Sequence, residues 1–124
     1  MKSSDAITLR GIDFVMFQVT DMPRARAFWE TLLGLNPGAF DSEYYVEYDL
    51  PDGSTFALGK HPTQPHVAMG GIMFGVEHAE HGAERVTELG GTFHANFGGE
   101  ICATAWCSDP DGNFFGLHQR RATT

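Results

Sequence analysis

Apolar residues recur along this chain with two periods, and each change of period marks a predicted element. Residues 12–20 form an apolar run with alternation, which is typical of a strand. Asp21 is a good helix N-cap and Pro23 suits the first turn, so a helix is predicted to begin there and to end at Gly34. The apolar residues between these caps repeat at helical spacing: Ala25, Phe28, Trp29, Leu32 and Leu33.

The rest of the chain continues in the same way. Two strands are predicted over about 44–50 and 54–61, and a second helix over about 79–89. The stretch Gly59–Gly70, which contains two prolines, is predicted to link two halves, and the tail 120–124 has no structural signal. Four further strands are predicted in the second half, at 70–77, 92–97, 101–108 and 113–119.

A ten-residue phrase occurs twice and shows that the halves are copies. Residues 50–59 return 59 positions later as 109–118, and residues 14–19 are echoed by 71–76. Repetition on this scale predicts two copies of one structural unit. Each copy contains a strand, a helix and a run of mainly antiparallel strands, so the predicted fold class is α+β.

The repeated Pro-Asp-Gly sequence predicts the register of two hairpins. Pro, Asp and Gly suit successive positions of a three-residue hairpin loop. This register sets four pairs of residues opposite each other: Glu47 with Ala57, Tyr45 with Gly59, Trp106 with Gly116, and Thr104 with His118. The residues predicted to face the helices are Val46, Tyr48, Leu50, Phe56 and Leu58 in one half, and Ala103, Ala105, Cys107, Phe115 and Leu117 in the other.

The opposite face combines small residues with aromatic and polar ones. From the hairpins it carries Tyr45, Glu47, Asp49, Ala57, Gly59, His61, Thr104, Trp106, Phe114, Gly116 and His118. The first strands add Phe14, Met16, Gln18, Gly71, Met73 and Gly75. Two interpretations stay open at this point. The face lines a small-molecule pocket, or its glycines mark bulges and tight contacts over which aromatic rings pack.

Composition narrows the class of protein. A chain of 124 residues with 42% apolar residues fits one folded domain over residues 1–124. The net charge of −8 argues against nucleic acid and acidic lipid surfaces as partners. No apolar run reaches membrane-spanning length, and the polar start at residues 1–5 is unlike a signal peptide.

Two cysteines, Cys102 and Cys107, lie five positions apart on one predicted strand. An odd spacing directs them to opposite faces, so we expect no disulfide between them. Free thiols without a secretion signal predict a reducing, cytoplasmic location.

Taken together, these motifs resemble the vicinal oxygen chelate superfamily, the group of glyoxalases, bleomycin-resistance proteins and extradiol dioxygenases. The resemblance rests on the strand phrase 14–21, the helix 27–35 and the turn 109–113, in the same order within two halves, and it covers nearly all of residues 10–120. It implies paired βαβββ modules, about 10–61 and 70–120. Their curled mixed sheets would surround a cleft, with the helices outside, often completed in a homodimer.

Metal-using members of that superfamily hold a divalent ion through four His, Glu or Gln positions. The matching positions here carry Phe14, Ala57, Gly71 and Gly116. A slip of two residues gives Met16, Gly59, Met73 and His118, with one good ligand. Because an ion needs O, N or S donors, this departure from the superfamily's ligand pattern argues against metal-dependent lyase, dioxygenase and transferase activities here. We therefore expect no metal and no cofactor.

The histidines offer few other candidates. His78 and His81 lie at the start of the second predicted helix and are interpreted as solvated residues. His61 and His66 flank prolines in the linker and are expected to be exposed. His118 is the exception, since the register directs it into the cleft as a wall residue or an acid/base.

Two carboxylates also lie on the cleft face. Glu47 is a stronger candidate than Asp49, which ends its strand, and it can serve as a polar anchor or as a general base. We found no phosphate-binding loop, no nucleophile elbow and no Cys–His pair in the sequence.

The residues and the resemblance together predict a metal-independent protein of the glyoxalase/bleomycin-resistance type that sequesters an aromatic or cationic small molecule in its aromatic-lined cleft. A homodimer is expected from the resemblance. Its predicted ligand-binding residues are Phe14, Met16, Gln18, Tyr45, Glu47, Met73, Thr104, Trp106, Phe114 and His118. Two alternatives remain. One is an enzyme, a lyase, isomerase or dioxygenase-like protein, that uses Glu47 or His118 as acid/base or an unrecognised metal site. The other is a regulatory subunit without a ligand.

Overall fold

The computed structural model describes residues 6–120, so the expectations for residues 1–5 and 121–124 lie outside the described part. Its helices and strands follow in chain order: β1 (Val15–Gln18), α1 (Met22–Leu33), β2 (Pro37–Asp41), β3 (Tyr45–Asp49), β4 (Thr55–Gly59), β5 (Ile72–Gly75), α2 (Ala79–Glu88), β6 (Thr92–Gly98), β7 (Cys102–Ser108) and β8 (Phe114–Arg120). Each half is a βαβββ module, which confirms the α+β class.

The strands form two four-stranded mixed sheets, one per module. Their orders are β1-β4-β3-β2 and β5-β8-β7-β6. In each sheet the first strand pairs in parallel with the last, and the remaining pairs are antiparallel. The two sheets therefore repeat one topology, as the duplicated sequence predicts.

One strand was absent from the pattern-based prediction. β2 contains Pro37 and Gly38 and pairs only with β3, through an irregular register. Pro and Gly are disfavoured in strand interiors but tolerated on edges and at bulges. Turn-forming residues thus concealed an edge strand, and the prediction of two strands after α1 was wrong.

Both ends of α1 have the predicted caps. The Asp21 carboxylate accepts a hydrogen bond from the Arg24 backbone N–H at 3.0 Å, and Pro23 lies in the first turn. Gly34 adopts the left-handed conformation at φ 65°, and its N–H donates to the Glu30 carbonyl. The helix therefore begins and ends where its sequence specifies.

All four predicted residue pairs of the two hairpins occur in the structure. In the first hairpin, the Leu50 N–H donates to the Ser54 carbonyl at 2.8 Å, which closes the predicted loop. Eight of the ten residues predicted to face the helices are buried, and Leu50 and Ala103 are half-buried. The buried ones are Val46, Tyr48, Phe56, Leu58, Ala105, Cys107, Phe115 and Leu117. Turn chemistry and alternation were sufficient to place both faces of each sheet.

The core is centred on Trp29, which is fully buried on α1. Its ring lies 5.1 Å from Phe56 in the first module, and 5.3 Å and 4.7 Å from Phe74 and Phe115 in the second. Its indole N–H donates to Asp109 at 3.3 Å. One side chain of the first module therefore joins the cores of both.

The structure also bears on two further expectations from the sequence, one about the cysteines and one about membrane-spanning segments. Cys107 is buried, Cys102 is half-buried, and neither forms a disulfide. Burial raises the pKa of the Cys107 thiol to about 11, which makes this thiol unreactive at neutral pH. Within residues 6–120, no helix is long and apolar enough to cross a membrane.

Candidate functional site

The predicted cleft residues lie in rows across the two sheets. In the first sheet the rows are Glu47–Ala57–Met16 and Tyr45–Gly59–Gln18. In the second sheet they are Trp106–Gly116–Met73 and Thr104–His118–Gly75. Three of these rows have Ala57, Gly59 or Gly116 between larger residues, so long side chains can lean across them, whereas the fourth row has His118 in the middle and Gly75 at its end. A side chain at Gly59 would lie 2.7 Å from the Met16 sulfur, which occupies that space.

The first sheet holds an aromatic group around a carboxylate. The Tyr45 hydroxyl donates to Glu47 Oε2 at 2.5 Å. The Tyr45 ring lies edge-on to Phe14 at 6.1 Å and to Phe40 at 6.4 Å. Burial, and then the hydrogen bond to Glu47, raise the pKa of Tyr45 to about 12, so the phenol stays protonated at neutral pH. A half-buried carboxylate bonded to Tyr45, whose ring contacts Phe14 and Phe40, can attract a cation through charge and through the ring faces.

Phe40 was not among the predicted site residues. It lies on β2, is 60% exposed, and joins the group only because β2 pairs beside β3. Its flanking sequence favours a turn, so the hydrophobic pattern contained no signal that would have placed it here.

The second sheet holds a different group. The Met73 side chain covers Gly116, where an added Cβ would lie 2.6 Å from the Met73 sulfur and 3.3 Å from Thr104. Thr104 is consequently buried. An open depression of about 990 Å³ lies beside this group, and its lining residues are Met73, Gly75, Val76, Glu77, His118 and Arg120. The structure thus brings Met73, Thr104 and His118 together.

Of three further predicted residues, Gln18 and Phe114 contact residues outside these two groups, and Trp106 lies beside the second group. The Gln18 side-chain oxygen accepts from the Val67 N–H at 3.3 Å, which ties it to the linker. Trp106 is half-buried opposite Gly116. Phe114 is 48% exposed, and its ring lies 5.1 Å from the ring of His94.

One histidine differs from its expectation. His66 is half-buried rather than exposed, and its Nε2 lies 2.9 Å from the Asp111 carbonyl oxygen. The linker around it is held against the second hairpin turn, where the Met69 N–H also donates to Asn113 at 2.8 Å. His61, by contrast, is exposed as expected.

The cleft does not fit a divalent metal ion. The side chains at the four positions aligned with metal ligands provide no donor atom, and Met73 covers Gly116. Across residues 6–120, no group of three or more His, Cys, Asp or Glu side chains is arranged to hold an ion. A divalent ion requires several O, N or S ligands at short distance.

Comparison with known families decides the relationship. The family model of the Glyoxalase/Bleomycin resistance protein/Dioxygenase superfamily matches residues 11–117. The chain belongs to this superfamily. No curated protein sequence matches the chain as a relative.

Solved structures of the same superfamily share the fold. A glyoxalase/bleomycin resistance protein from Albidiferax ferrireducens T118 has a TM-score of 0.73 at 21% identity, covering 89% of this chain and 98% of that one. A superfamily enzyme from Burkholderia phytofirmans PsJN has a TM-score of 0.73 at 15% identity, covering 88% and 98%. The fosfomycin resistance protein FosX from Mesorhizobium loti has a TM-score of 0.68 at 20% identity, covering 92% and 95%. At these identities the likeness concerns the fold alone.

Proposed function

We propose that this superfamily member binds a planar aromatic cation, without a metal ion, at the group of Phe14, Phe40, Tyr45 and Glu47. This group is called the Glu47 site below. The protein would act by sequestering its ligand rather than by converting it.

The geometry of Glu47 is the main support for this proposal. Its carboxylate is half-buried on the cleft face and is fixed by the Tyr45 hydroxyl at 2.5 Å. The rings of Phe40 on β2 and of Phe14, just before β1, contact the Tyr45 ring. An ordered carboxylate beside exposed ring faces favours a cation over a neutral or anionic ligand of equal shape.

Three quinolines of similar size test the charge preference directly. Isothermal titration calorimetry at pH 8 would compare N-methylquinolinium, neutral quinoline and anionic quinoline-6-carboxylate. We expect saturable binding of the cation, and about tenfold weaker binding after Glu47→Gln, which corresponds to roughly 1.4 kcal/mol. The matched control is Glu84→Gln on the exposed surface of α2, which should leave the affinity unchanged.

Metal analysis completes this test. Elemental analysis of the purified protein, before and after loading with Zn, Ni, Mn and Fe and dialysis, should find no stoichiometric metal. Bound metal would overturn the metal-independent proposal, and equal affinity for all three quinolines would overturn the role of Glu47.

An enzymatic role is the second candidate, because the close Tyr45–Glu47 contact also places a carboxylate and a phenol where a ligand would lie. Such a carboxylate can act as a general base. Mass spectrometry of the bound quinolinium after prolonged incubation separates the two. Recovery of unchanged ligand supports sequestration, whereas turnover that disappears in Glu47→Gln supports the enzyme.

We also propose that the chain forms a homodimer through β6. This edge strand is exposed over most of its length, and apolar Phe93, Phe97 and Ile101 lie on or next to it at 37%, 57% and 66% exposure. A long apolar edge strand is a ready site for pairing with another chain, and two-fold pairing uses the same strand from both copies.

Light scattering after size-exclusion chromatography tests this proposal. We expect a mass of twice 13.6 kDa for the wild-type chain and of one chain for Phe97→Glu. Phe40→Glu, on the corresponding edge strand of the first module, is the matched control and should remain dimeric. A monomeric wild-type chain, or dissociation by the control alone, would contradict pairing through β6.

A further inference from the structure

The boundary between the two modules, called the seam below, is closed by polar contacts at one end. Here the second hairpin turn meets the end of β1. The Asn113 amide donates to the Gln18 carbonyl at 2.8 Å. The Asp111 carboxylate accepts from the Thr20 N–H at 3.1 Å and from Arg24 at 2.8 Å. This end of the seam is bonded directly across the two modules.

The opposite end of the seam is open. The first hairpin turn meets β5 here, and a cavity of about 670 Å³ separates the modules. Its apolar wall includes Leu33, Leu35, Leu50, Ile72, Phe74 and Val76. Phe14 and Met73 border it on the cleft side. We call this space the seam cavity, and its volume is in the range of small-molecule sites.

Three differences between the repeats account for the open end. Where the second turn has Asp109 and Asn113, the first has Leu50 and Ser54. Ser54 is too short to bridge the modules and instead donates back to Asp52 at 2.6 Å. Where β1 has Gln18, β5 has Gly75, and no atom lies within 4 Å of a Cβ placed there. Different residues at equivalent positions thus form polar contacts at one end of the seam and an apolar space at the other.

The rim of the seam cavity is acidic. Asp13 and Asp52 lie on it, together with the hydroxyls of Ser54 and Thr55, and no Lys or Arg lines it among the described residues. Hydrogen bonds from the Ser54 hydroxyl and backbone lower the pKa of Asp52, so its carboxylate is ionised at neutral pH. Arg10 approaches Asp13 only at 4.0 Å, with both side chains exposed, so their pairing is weak. The rim therefore repels anions and attracts cations.

We propose that the seam cavity is a second binding site, for a small molecule with an apolar body and one protonated amine. The body would pack between the leucines of the first module and β5, while the amine would lie at the rim near Asp13 and Asp52. Phe14 borders both sites, but Phe40, Tyr45 and Glu47 do not line the seam cavity, and the apolar wall of the cavity lies on the helix side of the sheets. The proposal does not depend on the function proposed above.

Three eight-carbon probes distinguish the site by chemistry. Octylamine, octanol and octanoate would be titrated at pH 7.5, below their micelle concentrations, into wild-type protein with labelled methyl groups. We expect saturable NMR shifts at Leu35, Leu50 and Ile72, with octylamine binding at least tenfold tighter than octanoate. Because the wild-type protein is observed, this measurement does not depend on whether a variant folds.

Variants then assign the two parts of the site. Leu50→Trp fills the cavity and should weaken octylamine and octanol at least tenfold. Asp13→Asn combined with Asp52→Asn should remove the advantage of octylamine over octanol and leave octanol binding unchanged. Glu84→Gln is the control for charge alone.

Two results of the titrations with wild-type protein would overturn the proposal. One is the absence of saturable shifts at these methyl groups with octylamine and octanol. The other is equal affinity for octylamine and octanoate. Glu47→Gln separates the two sites, since it should weaken N-methylquinolinium but not octylamine. Loss of octylamine binding in Glu47→Gln would assign the amine to the Glu47 site and contradict the seam cavity.

Discussion

The contact between Tyr45 and Glu47 shows how a two-residue spacing in one strand becomes a site. Alternation directs both side chains to the same face of β3. Ala57 and Gly59 lie opposite them on β4, so no bulky neighbour displaces either side chain. The phenol can therefore lie beside the carboxylate and keep it ordered.

This contact predicts an unusual titration. Burial and the Glu47 hydrogen bond raise the pKa of Tyr45 to about 12, above the ordinary value near 10. Glu47→Gln removes the anionic acceptor, so the Tyr45 pKa should fall but remain above 10, since burial is the larger cause. The ¹³Cζ shift of labelled tyrosine measures this pKa site by site, and an unchanged value in Glu47→Gln would contradict the contact.

The same shift affects stability at high pH. In the folded state Tyr45 holds its proton above pH 10, whereas tyrosine in the unfolded chain releases it. The contribution to stability is therefore fully present below pH 10 and is lost as the pH rises from 10 through about 12. Glu47→Gln should narrow that window, and Glu84→Gln should leave it unchanged.

Predictions about single residues were confirmed where turn chemistry and strand alternation determine which residues face each other. The facing pairs around Glu47 and Trp106 follow from loop chemistry and strand period alone, and the structure confirms them. The engagement of Gln18 by the linker depends on how residues 60–71 cross the second turn. Neither hydrophobic period nor residue propensity predicts that path. The hydrogen bond of Gln18 to the linker and the partial burial of His66 were therefore not predicted.

At the scale of elements, the two helices differ in how far local sequence determines where they begin and end. α1 has a side-chain cap at Asp21 and a left-handed glycine at its end, and both were predicted. α2 begins at His78 without a side-chain cap, and the Ala79 N–H is satisfied instead by Gln119 of β8 at 3.0 Å. The start of α2 therefore depends on a tertiary contact rather than on local sequence alone.

The strands likewise separate into those determined by local sequence and those determined by tertiary pairing. β3, β4, β7 and β8 alternate clearly and were predicted within a few residues. β2 was not predicted, because its backbone is held by pairing with β3 while its residues favour turns. Edge strands are the elements for which tertiary pairing outweighs intrinsic preference.

At the scale of the whole molecule, duplication explains the architecture and its departures from symmetry explain the candidate sites. The repeat predicts two modules but not how their differences combine in space. In the sequence, Leu50 was predicted to face the helix and Ser54 to follow the turn, and neither indicated a cavity. Leu50 and Ser54 stand where the second repeat has Asp109 and Asn113. They line a cavity only because β5 lies beside them in the folded chain. The seam cavity was therefore beyond prediction from periodicity.

Because Trp29 packs against the cores of both modules, we expect the two modules to unfold together. Trp29→Ala would leave a cavity bordered by Phe56, Phe74 and Phe115, and should lower the free energy of unfolding by about 3–5 kcal/mol. Trp29→Phe keeps most of the packing but loses the hydrogen bond to Asp109, so it should cost less. Chemical denaturation followed by circular dichroism measures both changes.

Hydrogen exchange at β1 and β5 then distinguishes a shared core from two independent ones. In Trp29→Ala, amide protection at Phe17 of the first module and at Phe74 of the second should fall by similar factors, because both rings lie within 6 Å of Trp29. Ile7→Ala, at a position 94% exposed, should change the free energy of unfolding by less than about 0.5 kcal/mol. Loss of protection in β1 alone would mean that the second module is stable without the Trp29 joint, and would contradict cooperative unfolding of the two modules.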